Sequence, residues 1–258
     1  MFPQPVKQLH HLQARWVRQF SSPAWYLSVI PEMQSWTKQL TRQPVKIQDE
    51  CKAELYDFFE RHLIQGDIAL DRESRDWDSD RKPIDTVVIH HTSNPPGLRP
   101  ERLSAIGLIR LYAPYFASPT SMTDKQLKGR PIYSGHEREN KQVFWPYHWI
   151  IRRDGRAERL LHDWEIGWQA GDWDVNCRSV AIVLDNDHEW RRPSDVELRS
   201  IAALIADHYV QVPLARIVGH REVNLNTTCP SNLFLNLPNG NGWKNDLLTL
   251  LAQYRRAA

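Results

Sequence analysis

Thr86-Val87-Val88-Ile89-His90-His91 is where the chain changes character. Its first four residues are β-branched or apolar without a break, the pattern of a short strand buried in a sheet. Downstream, Pro100–Tyr112 reads as a helix with Leu103, Ile106, Leu108 and Leu111 apolar. Residues 113–146 are long and irregular, which suits a functional loop better than a passive connector. Tyr147–Arg152 is a second strand, Asp154-Gly155 a turn, and Arg156–Leu161 its hairpin partner. Ser179–Leu184 is another apolar strand. Pro193 opens a helix to Tyr209 with Val196, Ile201, Leu204 and Ile205 inward. Arg216–Gly219 is a last short strand and Trp243–Tyr254 a closing helix. Strands interleaved with helices, plus one hairpin, predict an α/β fold with a mixed central β-sheet flanked by helices.

Upstream, the chain reads as an N-terminal helical extension and linker over residues 1–80, followed by a larger domain over 81–258. Leu9, Leu12, Trp16, Val17 and Phe20 recur at helical spacing until Ser21-Ser22-Pro23 stops them. A second helix is expected from Gln48 to Ile64, with Leu55, Phe58, Phe59 and Leu63 on one stripe. Asp71–Pro83 is charged and aperiodic, as in a linker or surface arm. The extension is either an appendage packing on the main domain or a separate targeting or partner-binding module.

Composition narrows the classes. With 41% apolar and 25% charged residues the chain is that of an ordinary globular protein. A net charge of +2 without a dense Lys/Arg block argues against nucleic acid. No apolar run approaches the ~20 residues needed to span a bilayer. Met1–His11 is polar and lacks the apolar region of a signal peptide, so the expected location is cytoplasmic as written, with export by another route open. Cys51, Cys177 and Cys229 are too few and odd in number for a disulfide framework.

His90 follows a strand, His220 follows another, and Cys229 lies nine positions beyond His220 in a loop ending in Pro230. Two histidines and one cysteine meet the requirement of a catalytic zinc site, three N/S donors with a fourth position left open. His91 competes with His90. Adjacent strand residues face opposite ways, and periodicity does not choose between them. A closed structural site would need a fourth ligand, for which only His91, His148 or His162 offer themselves.

Four strings in order then carry a resemblance: Val88-Ile89-His90-His91-Thr92-Ser93, Tyr147-His148-Trp149-Ile150-Ile151-Arg152-Arg153-Asp154-Gly155, Asn176-Cys177-Arg178-Ser179-Val180-Ala181-Ile182, and Gly219-His220-Arg221-Glu222-Val223 with Cys229-Pro230-Ser231. Together they resemble the type 2 N-acetylmuramoyl-L-alanine amidases, a superfamily that includes T7-type phage lysozymes and peptidoglycan recognition proteins. The resemblance spans about residues 84–252. It implies one zinc ion on His90, His220 and Cys229, with His91 in a variable slot. It implies Tyr147 and Thr227 as catalytic assistants, Trp168 and Asn176 as substrate contacts, and a peptidoglycan or muropeptide substrate; a monomer is expected. The alternative it leaves is a non-catalytic peptidoglycan-binding module of the same fold. Three departures stand out. The His220–Cys229 interval is one residue longer than in many relatives, Gln169 stands where a His is common, and Val183 stands where some relatives carry a catalytic Glu. Asp185, two residues on, faces the same side of the strand and either stands in for part of that carboxylate's role or, as expected, caps the strand end.

Overall fold

The computed structural model describes residues 4–72, 75–118, 127–235 and 242–257. The chain forms two compact units, Met1–Arg75 with Arg99–Phe144, and Asp76–Leu98 with Trp145–Ala258.

The first unit is helical. Gln4–Trp16, Tyr26–Leu40 and Val45–Gln65 are its long helices, and an aromatic cluster of Trp16, Phe20, Trp25, Phe58 and Phe59 fills its core. The middle helix is absent from the sequence reading because Pro31 lies inside it, a residue that normally ends helices. Burial of Tyr26, Val29, Ile30, Met33, Trp36 and Leu40 along one stripe outweighs the single lost hydrogen bond. The helix expected from Pro100 to Tyr112 is α-helical only through Gly107, and Leu108–Tyr112 widens into a π-turn. The wider turn rotates the following side chains, so Tyr112 is buried while Leu111, expected inward, is 37% exposed. Within 113–146, residues 119–126 lie outside the described set. The remainder includes helix Ala113–Ala117 and a short hairpin, Glu137–Arg138 with Lys141–Gln142, whose turn residues Glu139 and Asn140 have positive φ.

The second unit carries the mixed sheet. We number its strands β1 (Thr86–His91), β2 (Trp149–Ile151), β3 (Ala157–Arg159), β4 (Ser179–Leu184) and β5 (Ile217–Gly219). Their spatial order is β3-β2-β4-β1-β5, parallel except for the β2–β3 hairpin. Val87 and Ile89 of β1, with Val180, Ile182 and Leu184 of β4, pack on helices Asp195–His208 and Trp243–Ala257. Val88 points to the other side, against Ala170 and Val175. Because strand side chains alternate, His90 shares Val88's face and His91 shares that of Val87 and Ile89. The capping box of Ser194 and Glu197 starts the helix Asp195–His208. Val196, expected inward, sits in that first turn and is 42% exposed.

The charged stretch before β1 does more than link. Trp77 is buried in a 3₁₀ turn, and the Arg81 guanidinium donates to the carbonyls of Asp163, Asn176, Cys177 and Ser179. Among the described residues no helix is long and apolar enough to cross a membrane.

Candidate metal centre

The site is built where β1 and β5 end. His90 is 1% exposed. Its Nε2–H donates to Gln169 Oε1 at 2.6 Å, and its Nδ1 lies 3.6 Å from Cys229 Sγ. His220 leaves β5 as the first residue of the short helix His220–Val223, with its ring centroid 4.7 Å from that of His90. Gly219 before it is required by space: a Cβ there would stand 2.5 Å from Phe234 Cε1 and 2.7 Å from Pro230 Cδ.

Cys229 arrives on a loop tied back at both ends. Its own N–H donates to Thr227 Oγ1 at 3.1 Å, and its carbonyl accepts the Arg221 N–H at 2.7 Å. The Arg221 side chain holds the Ser231 carbonyl in turn. The ligand-capable atoms of His90, His220 and Cys229 all fall within 4.8 Å of one another.

This donor set fits a zinc ion. With Zn–N near 2.0–2.1 Å and Zn–S near 2.3 Å, a tetrahedral N–Zn–S edge is about 3.6 Å long. The His90–Cys229 separation of 3.6 Å matches it. The His220 ring is largely buried beside the Ala170 backbone, and its Nε2 makes no side-chain hydrogen bond among the described residues. Both rings are held neutral, as metal ligands must be. Burial drives His90 well below the usual histidine range, with the neighbouring His220 adding to the effect and the Gln169 hydrogen bond opposing it. Burial lowers His220 to about 4, against the pull of the Ala170 backbone.

His91 lies on the other face. Its Nδ1 accepts the His188 N–H at 2.9 Å, and Asp187 and Glu189 flank the ring. The residue the sequence could not choose between is thus separated by strand alternation.

Tyr147 is half-buried, its ring centroid 5.1 Å from that of His90. The next residue anchors it: the fully buried His148 accepts the Ala181 N–H on Nδ1 and donates from Nε2 to the Glu165 carbonyl. Thr227 sits two residues before the thiol with its oxygen on the Cys229 N–H. Trp168 meets Trp77 and Trp173 edge-on, at 5.1 and 6.2 Å between centroids. Asn176 is 6% exposed, and its Oδ1 accepts the N–H groups of Gln169 and Ala170 at 3.1 and 2.8 Å. Its side-chain oxygen is therefore committed to the 167–171 loop.

Asp185 caps the end of β4 as expected, accepting from Gly97 N, Leu98 N and Arg152 Nη1. Val183 is fully buried in register with His90 and offers no carboxylate. Sequence reasoning missed the link from Gln169 to Ser179, whose Oγ accepts from the Gln169 amide at 2.9 Å. The only advance signal was the unusual Gln itself.

A profile of the N-acetylmuramoyl-L-alanine amidase family matches residues 80–232. Among solved structures, the N-acetylmuramoyl-L-alanine amidase LysC from Clostridium intestinale URNW is similar at 18% identity, over 67% of this chain and 87% of that one, with a TM-score of 0.45. Drosophila peptidoglycan recognition protein SD is similar at 20% identity, over 62% and 83%, with a TM-score of 0.38. Drosophila PGRP-LB is similar at 21% identity, over 63% and 85%, with a TM-score of 0.37. No curated protein matches the chain in sequence.

Proposed function

This chain belongs to the N-acetylmuramoyl-L-alanine amidase family, and from that premise we propose that it is a zinc-dependent hydrolase of the amide joining N-acetylmuramic acid to L-alanine in peptidoglycan or soluble muropeptides. The observation that carries the reading is the largely buried group of His90, His220 and Cys229, with no fourth His, Cys, Asp or Glu joining it among the described residues. Structural zinc sites close with four protein ligands, whereas catalytic ones keep a position for substrate or water.

His90, His220 and Cys229 would hold one Zn2+ ion. Bound there, the ion supplies Lewis acidity, polarising a carbonyl and bringing the pKa of water down to about 7. The residues of the chain do the rest. Tyr147, anchored through His148 beside the His90 ring, would donate a hydrogen bond from its phenolic O–H to the scissile carbonyl oxygen as that oxygen gains charge. Thr227 uses an oxygen lone pair for the Cys229 N–H, which leaves its hydroxyl proton to be donated to the substrate. Trp168 gives the substrate an apolar face. Asn176 positions the 167–171 loop through Oδ1, and its Nδ2 would be the atom left to contact substrate. Asp185, bound by three donors, is no general base. All three metal donors come from one chain, so a monomer suffices.

The test compares wild type with Cys229→Ser and Tyr147→Phe. Purified wild type should carry one zinc per chain and release muropeptide from cell-wall material or soluble fragments, and a chelator should stop that release. Zinc-free wild type whose muropeptide binding is untouched by Cys229→Ser would instead establish a non-catalytic binding module.

A further inference from the structure

Resting on the zinc reading above, we infer that Gln169 is a positioning residue for the metal centre. Its amide, hydrogen-bonded on its far side to Ser179, holds His90 as the Nε2–H tautomer and so presents Nδ1 to the ion.

The inference starts from a continuous buried chain. His90 Nε2–H donates to Gln169 Oε1 at 2.6 Å, and Gln169 Nε2 donates to Ser179 Oγ at 2.9 Å. The backbone of Gln169 is itself fixed, because Asn176 Oδ1 takes its N–H and that of Ala170. Asn176 in turn sits in the helix Trp173–Arg178, which Asp172 caps by accepting the Val175 N–H. His90, Gln169, Asn176 and Ser179 are all buried, so water does not compete for these groups.

The orientation of the amide decides which imidazole nitrogen is free. A neutral histidine has one donor and one acceptor nitrogen. With Oε1 toward His90, the ring proton must sit on Nε2, and the Nδ1 lone pair faces Cys229 Sγ. With the amide reversed, its NH₂ would need Nε2 as acceptor. The proton would then move to Nδ1, into the 3.6 Å gap between ring and thiol where the ion belongs. Partners on the far nitrogen of a metal-binding histidine commonly set its tautomer in this way. Here the partner is a neutral amide, so its effect depends on Oε1 staying toward His90, the arrangement in which Nε2 pairs with Ser179 Oγ.

The experiment pairs zinc affinity, from competition with a chromophoric chelator, with the His90 tautomer, from long-range ¹H–¹⁵N NMR of the metal-free protein. Wild type should show the proton on Nε2. Gln169→Leu keeps the bulk and removes the acceptor. It should weaken zinc binding by about 10–100-fold and leave His90 as a tautomer mixture. Gln169→Glu, which restores an acceptor at the same place, should bind zinc at least as tightly as wild type with the proton on Nε2. Ser179→Ala should give a smaller loss, with the tautomer partly scrambled. A Gln169→Leu protein that matches wild type in both readouts overturns the inference, as does a wild-type proton on Nδ1. Should Gln169→Leu fail to fold, Ser179→Ala decides, and no change in its tautomer or affinity counts against us. If wild type takes up no zinc, the zinc reading falls, while the tautomer measurement still judges Gln169 separately.

Discussion

Gly219→Ala should damage both the fold and the metal centre. The backbone of Gly219 is ordinary, with φ −85° and ψ 156°, so any cost is steric and not conformational. A Cβ there would lie 2.5 and 2.8 Å from Cε1 and Cδ1 of Phe234 and 2.7 Å from Pro230 Cδ. Carbon atoms prefer about 3.5–4.0 Å, so three contacts are each short by roughly 1 Å. None of the parties can easily retreat. Phe234 is fully buried and packed edge-on against the buried Trp243, with centroids 4.6 Å apart. Gly219 itself is paired with Ile89 in the parallel ladder. Overpacking a core by one carbon typically costs about 1–3 kcal/mol, and with so little slack we place this case near 3 kcal/mol. For a chain of this size that is a fall in Tm of about 6–12 °C. Pro230 follows Cys229 directly, so relief of the clash should also move the thiol and weaken zinc binding. Melting of the metal-free protein followed by circular dichroism isolates the stability term, and chelator competition reads the metal term. Gly66→Ala is the control. Gly66 has φ +77° but open space around its missing Cβ, so its cost of about 1–2 kcal/mol comes from the backbone alone. A Gly219→Ala protein that melts within about 2 °C of wild type and binds zinc normally would refute the packing argument.

Cys229→Ser should lose zinc and activity together, whereas His91→Ala should keep both because its ring faces away from the group; equal loss in the two variants, by metal analysis and muropeptide release, would assign the wrong histidine. Arg81→Ala removes a guanidinium serving four carbonyls, which should cost about 3 kcal/mol in urea unfolding because charged hydrogen bonds are worth about 1.5–3 kcal/mol each and do not add; a loss below about 1 kcal/mol would mean the carbonyls find other partners. The metal-free protein should also weaken in mild acid. His220 is lowered from 6.5 to about 4, so folded and unfolded chains are both neutral at that site above pH 6.5, and only the unfolded chain gains the proton as pH falls toward 4. Stability should drop over that window by roughly 3 kcal/mol, and a flat urea midpoint between pH 7 and 5 would contradict it.

Much of the fold was legible because parallel strands buried on both faces announce themselves as unbroken apolar runs. β1 and β4 are of this kind, and Ser179–Leu184 begins and ends where the residues suggested. The losses have specific causes. Pro31 hides a helix whose stripe is otherwise plain, and the π-turn at Leu108–Tyr112 shifts the inward face by a residue that no local pattern records. Arg81 was read as part of a charged surface stretch. Its burial depends on four carbonyls contributed by residues 163–179, about a hundred positions away at the far end.

The candidate metal centre shows how apolar residues can choose which of two histidines faces it. His90 and His91 are neighbours of the same type, and nothing chemical in the sequence separates them. What separates them is the register of β1. Val87 and Ile89 are committed to the core under helices Asp195–His208 and Trp243–Ala257, and that commitment sends Val88 and His90 to the opposite side. A slip of one residue would bring His91 to the position facing His220 and Cys229 and expose polar Thr86 to the wrong layer. The slip is opposed by six paired positions with β4 and three with β5, so which histidine faces His220 and Cys229 is enforced by hydrophobic burial several residues away. Gln169 could not be seen by this route. It lies on a loop 79 residues from His90, and only the fold brings its amide to the ring.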